Sequence, residues 1–290
     1  MDRAELLLDC HNQHGEGVLW NPKDGRVWWT DIHGWHLWWY EPESGRSGSV
    51  TMPDRACCFA PRRSGGFIVA FAKQIAFFDL ESGAVSSIHR FEPDNPDTRL
   101  NDGRTDRQGR FIVGGMNEGS SEPVSTVVRV DPDGSVSTII SGVGCANSTC
   151  FSPDGRTMYF ADSFAGTIWA FDYDPRTALP SNRRVLKDFQ GEAGIPDGSC
   201  VDAEGAVWNA VWEGQRIVRI LPDGRADRTI EVPVLKPTCC AFGGAELDTL
   251  YITTSRLAMT PEQLAAEPTA GALFAFRPGV RGLADQPFAG

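Results

Sequence analysis

The sequence predicts an all-β fold, a six-bladed β-propeller with four-stranded blades around a central channel, and three observations carry that prediction. A turn containing Asp or Gly followed by a short alternating strand recurs six times, a second hairpin lies between successive copies, and almost nothing reads as helix. The turn-strand copies are PKDGRVWWTDI (22–32), RRSGGFIVAF (62–71), DRQGRFIVGG (106–115), SPDGRTMYFAD (152–162), DAEGAVWNAVW (202–212) and GAELDTLYITT (244–254). Counted from Gly25, Gly65, Gly109, Gly155, Gly205 and Asp248, the pattern returns after 40, 44, 46, 50 and 43 residues. Small twisted sheets stacked radially around a channel have this period, and six copies make residues 1–290 one domain.

The intervening hairpins are HLWWYEPESGRSGSV, QIAFFDLESGAVSSI, TVVRVDPDGSVSTII, TIWAFDYDPRTALPSNRRV, RIVRILPDGRADRTI and finally ALFAFRPGVRGLADQPFAG, so each repeat supplies about four strands, the last from the C-terminal residues. The best helical stretch is MTPEQLAAEPT (259–269), with Thr260 as N-cap and Pro261 at the first helical position. Tryptophans cluster at Trp20, Trp28, Trp29, Trp35, Trp38 and Trp39. Their alternation within strands points to packing between blades rather than to sugar stacking.

Composition bounds the function. With 27 basic and 38 acidic residues the formal charge is −11, which argues against nucleic-acid or anionic-membrane surfaces and leaves neutral or cationic partners. The stretch MDRAELLLDCHNQ lacks the apolar core of a signal peptide, and no run approaches the ~18 apolar residues of a membrane span. Eight cysteines include the adjacent pairs Cys57-Cys58 and Cys239-Cys240, with no CxxC or Cys/His metal spacing. They read as reduced, mostly buried thiols of a cytoplasmic protein, and no obligate protein partner is evident.

In a propeller the start of each inner strand lines one end of the channel, so a site there draws single residues from separate blades. The corresponding stretches are QHGEGVLW (13–20), DRACCFAP (54–61), RLNDGRTD (99–106), GCANSTCFSP (144–153), GIPDGSCVD (194–202) and LKPTCCAFGG (235–244). Four of them carry a polar side chain within the apolar or glycine-rich strand start: Glu16, Asn101 with Asp102, Asn147, and Asp197. Such groups converging in one tunnel would be desolvated and would repel one another unless a cation gathered them. Carboxylates and amide oxygens suit one divalent ion, Ca²⁺, Mg²⁺ or Mn²⁺, with Fe²⁺ and Zn²⁺ also admissible. Asn101-Asp102-Gly103 and Pro196-Asp197-Gly198, taken singly, read equally as turns. Phase separates the cases: the DPDG at 131–134 and LPDG at 221–224 fall in hairpin turns, whereas IPDG at 195–198 precedes an inner strand.

With these positions fixed, the chain resembles the senescence-marker-protein/gluconolactonase/luciferin-regenerating family over nearly its whole length. GEG, RLNDGRTDRQGRF, the blade-four Asn followed by FSPDGRTMYFADS, NRRV, IPDGSCVDAEGAVW, KPTCCAFGG, LYITTSR and AGALFAF occur in the family's order. The resemblance implies a metal bound by Glu16, Asn147 and Asp197 and a sugar lactone held by Arg99 and Asn101. It also implies a further substrate-binding carboxylate, for which GGMNEG offers Glu118, with Gly119 the competing alignment. His14 and His33 read as packed or solvent-facing histidines.

The implied chemistry is metal-dependent hydrolysis of an aldonolactone to the aldonic acid. Asp197 is the preferred general base, although a carboxylate bound to a cation is a poor one, and a metal-bound hydroxide is the rival nucleophile. Asp102 is expected to buttress its loop, with residues from Gly103 onward forming turn and next strand. Among sugars, the resemblance suggests pentonolactones such as L-arabinono- or D-xylonolactone, then glucono- or galactonolactone. A calcium-binding propeller without catalysis and a hydrolase of phosphotriesters or other lactones are the competing readings.

Overall fold

The computed structural model describes residues 2–290. Six antiparallel sheets occupy 15–51, 56–90, 98–143, 146–188, 195–231 and 237–276, and pack side by side as the blades of a propeller. Composition sorts the strands radially. The inner strands Ala56–Pro61, Ala146–Phe151 and Pro237–Gly243 are buried almost throughout, whereas the polar outer strand Arg46–Thr51 is largely exposed. Large aromatics seal the seams, Trp28 edge-on to Phe67 at 5.2 Å between blades 1 and 2 and Trp208 edge-on to Phe242 at 5.7 Å between blades 5 and 6. Trp29 instead stacks on Trp38 within blade 1, and Trp35 is exposed.

The ring closes differently from the sequence expectation. The fourth strand of blade 6 is Glu5–Leu8, antiparallel to Leu273–Phe276, not a C-terminal segment. Pro278 and Gly279, one residue beyond Phe276, take the chain off the ladder, while joining the two chain ends leaves no inward edge open. Asp2–Arg3 continues onto blade 5, parallel to Ala226–Glu231.

The C-terminal residues run across the far end of the channel. Arg281 accepts from Ala203 N at 2.8 Å, and Phe288, fully buried, donates its N–H to Pro61 O at 2.8 Å. Between them Asp285 pairs with Arg104, near the end of the innermost strand of blade 3.

One local feature was misjudged from sequence, whereas the helix begins where it was expected. Thr98–Thr105 is one continuous strand, so Gly103 lies inside it rather than opening a turn. The helix spans Pro261–Ala266 only, with Thr260 as N-cap of a capping box closed by Gln263.

All six inner strands break register with their neighbours at one phase: after Glu16, Ala56, Leu100, Asn147, Pro196 and Pro237. A bulge re-aims the side chains beside it. In blades 1, 3, 4 and 5 two residues are skipped against one on the neighbour. Those are the blades with Glu16, Asn101, Asn147 and Asp197 at this level. In blades 2 and 6 a single residue is skipped, Cys57 and Thr238.

Candidate active site at the channel mouth

Each of Glu16, Asn101, Asn147 and Asp197 lies five residues before the turn residue that ends its inner strand, Asn21, Asp106, Ser152 and Asp202. This shared phase makes them one ring. They line a cavity of ≈190 Å³ together with His14 and Arg99. That volume is below the ~300 Å³ lower bound of drug-sized sites and suits a small polar molecule. Met116, Phe164, Trp212 and Leu257 supply its apolar walls.

The amide of Asn147 is oriented by a chain of hydrogen bonds. Ser163 Oγ gives its only proton to Pro196 O at 2.7 Å, so it accepts from Asn147 Nδ2 at 2.8 Å. Asn147 Oδ1 is therefore the end of the amide left free of Ser163, 3.5 Å from Asn101 Nδ2 in the cavity wall. Asn101 is engaged at both ends: Nδ2 donates to Ala146 O at 2.8 Å and Oδ1 accepts from Arg99 Nη1 at 2.7 Å. Arg99, 3% exposed, also donates through Nε to Glu118 Oε1 at 2.9 Å and through Nη1 to Leu100 O at 2.8 Å, and Nη2 makes no hydrogen bond among the described residues.

Glu118 is not a wall of the cavity. It stands behind Arg99, with both carboxylate oxygens also gripped by Arg55 at 2.8 and 3.1 Å. Its carboxyl is held below the ordinary range: burial opposes ionisation, and the hydrogen bonds and charges of Arg55 and Arg99 outweigh it.

Behind Asp197 a polar cluster fixes the strand. Asp197 O accepts from Ser148 Oγ at 2.6 Å and from Asn209 Nδ2 at 2.9 Å, and Ser199 Oγ lies 2.9 Å from Ser148 Oγ. Asp102 points into the neighbouring blade and accepts from Thr149 N at 2.9 Å. Sequence reasoning missed Ser148, Ser163, Ser199, Asn209 and Arg55. The available signal was a polar residue inside an otherwise apolar run, as Asn209 in VWNAVW.

The electrostatics are those of carboxylates short of a counter-charge. Burial, then the Asp102 charge, pushes Glu16 up to about 8. Asp197 is raised well above the usual range by burial, then by Glu16 and Asp102. Burial alone is the leading cause for Asp102. One Glu16 carboxylate oxygen accepts from Gly17 N at 2.9 Å, and the carboxylate makes no other hydrogen bond among the described residues. Two mutually repelling carboxylates and an amide oxygen of the same cavity wall form a donor set that fits a hard divalent cation. No cluster of three or more His, Cys, Asp or Glu side chains suited to a metal occurs among the described residues, which is consistent with a set containing only two acids.

His14, expected to be a packed or solvent-facing ring, is buried and walls the cavity, while His33 stands 5.6 Å away, ring to ring. Burial, then the Arg99 charge, keeps His14 well below the ordinary histidine range and hence neutral. All eight cysteines are free, and no helix among the described residues is long and apolar enough to cross a membrane.

The family model described as SMP-30/Gluconolactonase/LRE-like region matches residues 14–256. An L-arabinolactonase of Azospirillum brasilense is 38% identical over 99% of this chain and 96% of its own length. Regucalcin of Xenopus laevis is 33% identical over 99% of each chain. Among solved structures, a calcium-binding protein, regucalcin, from Agrobacterium tumefaciens superposes with a TM-score of 0.94 at 29% identity, covering 99% of this chain and 97% of that one.

Proposed function

The chain belongs to the SMP-30/gluconolactonase/LRE-like family, and from that premise we propose that it hydrolyses a sugar lactone to the aldonic acid with the help of one divalent cation. The observation that carries the reading is the convergence of Glu16, Asn147 Oδ1 and Asp197 on the cavity that Arg99 enters with an unengaged Nη2. Glu16, Asn147 and Asp197 are the residues that would hold the ion. When bound, it supplies positive charge to stabilise the oxyanion that builds on the lactone carbonyl, worth several kcal/mol.

The chain's own residues do the rest. Arg99 donates from Nη2 to lactone hydroxyls, and Asn101, locked between Arg99 and Ala146 O, keeps that guanidinium in register. Glu118 positions Arg99 from behind, a change from direct substrate binding that follows from its place outside the cavity wall. Asp197 receives the proton of the attacking water and passes it to the ring oxygen as the acyl C–O bond breaks, leaving the hydroxy acid. Trp212 and Leu257 cover the apolar face of the sugar ring.

A pentonolactone such as L-arabinono- or D-xylonolactone is the first substrate class, supported by the name of the Azospirillum relative, with glucono- and galactonolactone next. Eight free thiols support a cytoplasmic setting. The test is acid release from a panel of aldonolactones, followed with a pH indicator with and without chelator. Chelator-sensitive hydrolysis of at least one sugar lactone is expected. Ion binding without acid release from any of them would replace this reading with a calcium-binding propeller like the Agrobacterium relative.

A further inference from the structure

We propose that His14 is a specificity-determining residue of this cavity, its Nε2 accepting a hydrogen bond from a lactone hydroxyl on the side away from Arg99. The inference rests on the lactone reading above and deepens it. Its basis is the proton count at Ser255. That hydroxyl lies 3.1 Å from Gln13 O, an acceptor that can only receive its proton, and it accepts from Leu257 N at 3.0 Å. With that proton assigned to Gln13 O, the contact of Ser255 Oγ with His14 Nδ1 at 2.9 Å is one in which Nδ1 donates. The ring is thereby fixed in the tautomer that carries its proton on Nδ1 and a lone pair on Nε2.

Nothing in the protein donates to that lone pair among the described residues, although the residue is only 7% exposed and walls the cavity. The ring is also held in orientation. Trp212 meets it edge-on at 5.6 Å, and Asp31 Oδ1 accepts from the backbone N of His14 at 2.9 Å. His14 bridges blade 1 to Ser255 at the end of blade 6, whereas Arg99 comes from blade 3. A lactone seated between them meets donors from Arg99 on one side and an acceptor from His14 on the other. Only a hydroxyl can answer that acceptor, so a deoxy or keto lactone is discriminated against at this position.

The experiment compares wild type, His14→Leu, His14→Gln and Ser255→Ala on the lactone hydrolysed fastest in the panel and on its monodeoxy analogues, with kcat and KM separated. For wild type, one analogue is expected to lose roughly 10²-fold in kcat/KM. His14→Leu should show a loss of that size on the parent lactone and no further loss on that analogue. His14→Gln, which offers an amide oxygen, should recover part of it, and Ser255→Ala should fall in between because the tautomer is released. Equal losses by His14→Leu on the parent and every analogue would overturn the proposal in favour of a packing role, as would no loss at all. A wild type inactive on every lactone overturns the lactone reading itself and this assignment with it.

Discussion

Pro-Asp-Gly occurs four times in this chain, at 132–134, 153–155, 196–198 and 222–224, and the same three residues serve two opposite purposes. In three copies the aspartate is exposed and its Oδ1 accepts the backbone N–H two residues on, at 2.9 Å for Ser135, 3.0 Å for Arg156 and 3.0 Å for Arg225. The glycines there take φ of 84°, 66° and 86°, the left-handed region that a tight turn requires. In the fourth copy Asp197 is 6% exposed within an inner strand. Gly198 has no positive φ and is needed for a different reason, since a Cβ there would come within 2.6 Å of Cys239 Sγ. Hydrogen bonds to Ser135 and Ser152 hold Asp133 and Asp154 below the ordinary carboxylate range, whereas burial raises Asp197. Local sequence is therefore silent about which copy lines the cavity, and position in the repeat decides it.

The comparison can be broken most directly at Asp197. Asp197→Asn should lower kcat/KM of lactone hydrolysis by roughly 10³-fold with the fold retained by circular dichroism. A variant within threefold of wild type would remove Asp197 from the chemistry.

A stability effect of similar size belongs to the opposite end of the same strand. Asp202 is fully buried and accepts from Glu204 N at 3.0 Å, Ala206 N at 2.9 Å, Trp208 Nε1 at 2.9 Å and Arg219 Nε at 2.8 Å. Asp202→Ala leaves those donors unpaired and should cost about 3–5 kcal/mol in denaturant unfolding, with kcat of the folded fraction preserved.

Chelation sharpens the contrast through pH. In the metal-free chain the folded pKa of Glu16, about 8, exceeds the ordinary 4.5, so the folded state holds more protons between those values. The destabilisation from Glu16 is absent below pH 4.5, grows as pH rises through that window, and is complete above pH 8. Glu16→Gln should accordingly raise the Tm of chelator-treated protein at pH 9 and leave it nearly unchanged at pH 4. A Tm gain equal at both ends would refute the repulsion account.

Smaller again is Glu118→Ala, which frees Arg99 and Arg55 and should reduce kcat/KM by roughly 10- to 100-fold, mainly through KM. Asp223→Asn, the control in an exposed turn, should leave rate and Tm unchanged.

Much of the site was legible because the repeat supplies its own ruler. Glu16, Asn101, Asn147 and Asp197 stand at one offset from turn residues that the sequence announces with Asp, Asn, Ser and Gly. Glu118 shows the limit of that ruler. It was read as touching substrate, but its surroundings depend on Arg55 from another blade, 63 residues away. His14 was read as a packed or solvent-facing ring, because a histidine beside an aromatic-rich strand carries no sign of which nitrogen is committed. Its tautomer is set by Ser255, 241 residues distant. The source of the sixth blade's outer strand was hidden for a like reason. ELLL at 5–8 could pair with any open edge, and only closure of the ring brings it to Leu273–Phe276.

By itself, then, the sequence determined the number of blades, the order of strands within blades 1 to 5, and the phase at which polar groups interrupt apolar inner strands. These follow from short-range alternation and turn chemistry repeated along the chain. Tertiary structure alone decided which end of the Asn147 amide Ser163 holds, that His14 walls the cavity, and that Arg55 and Arg99 share Glu118. Those outcomes depend on how six sheets curve around a common axis, and contacts between residues tens to hundreds of positions apart leave no local trace.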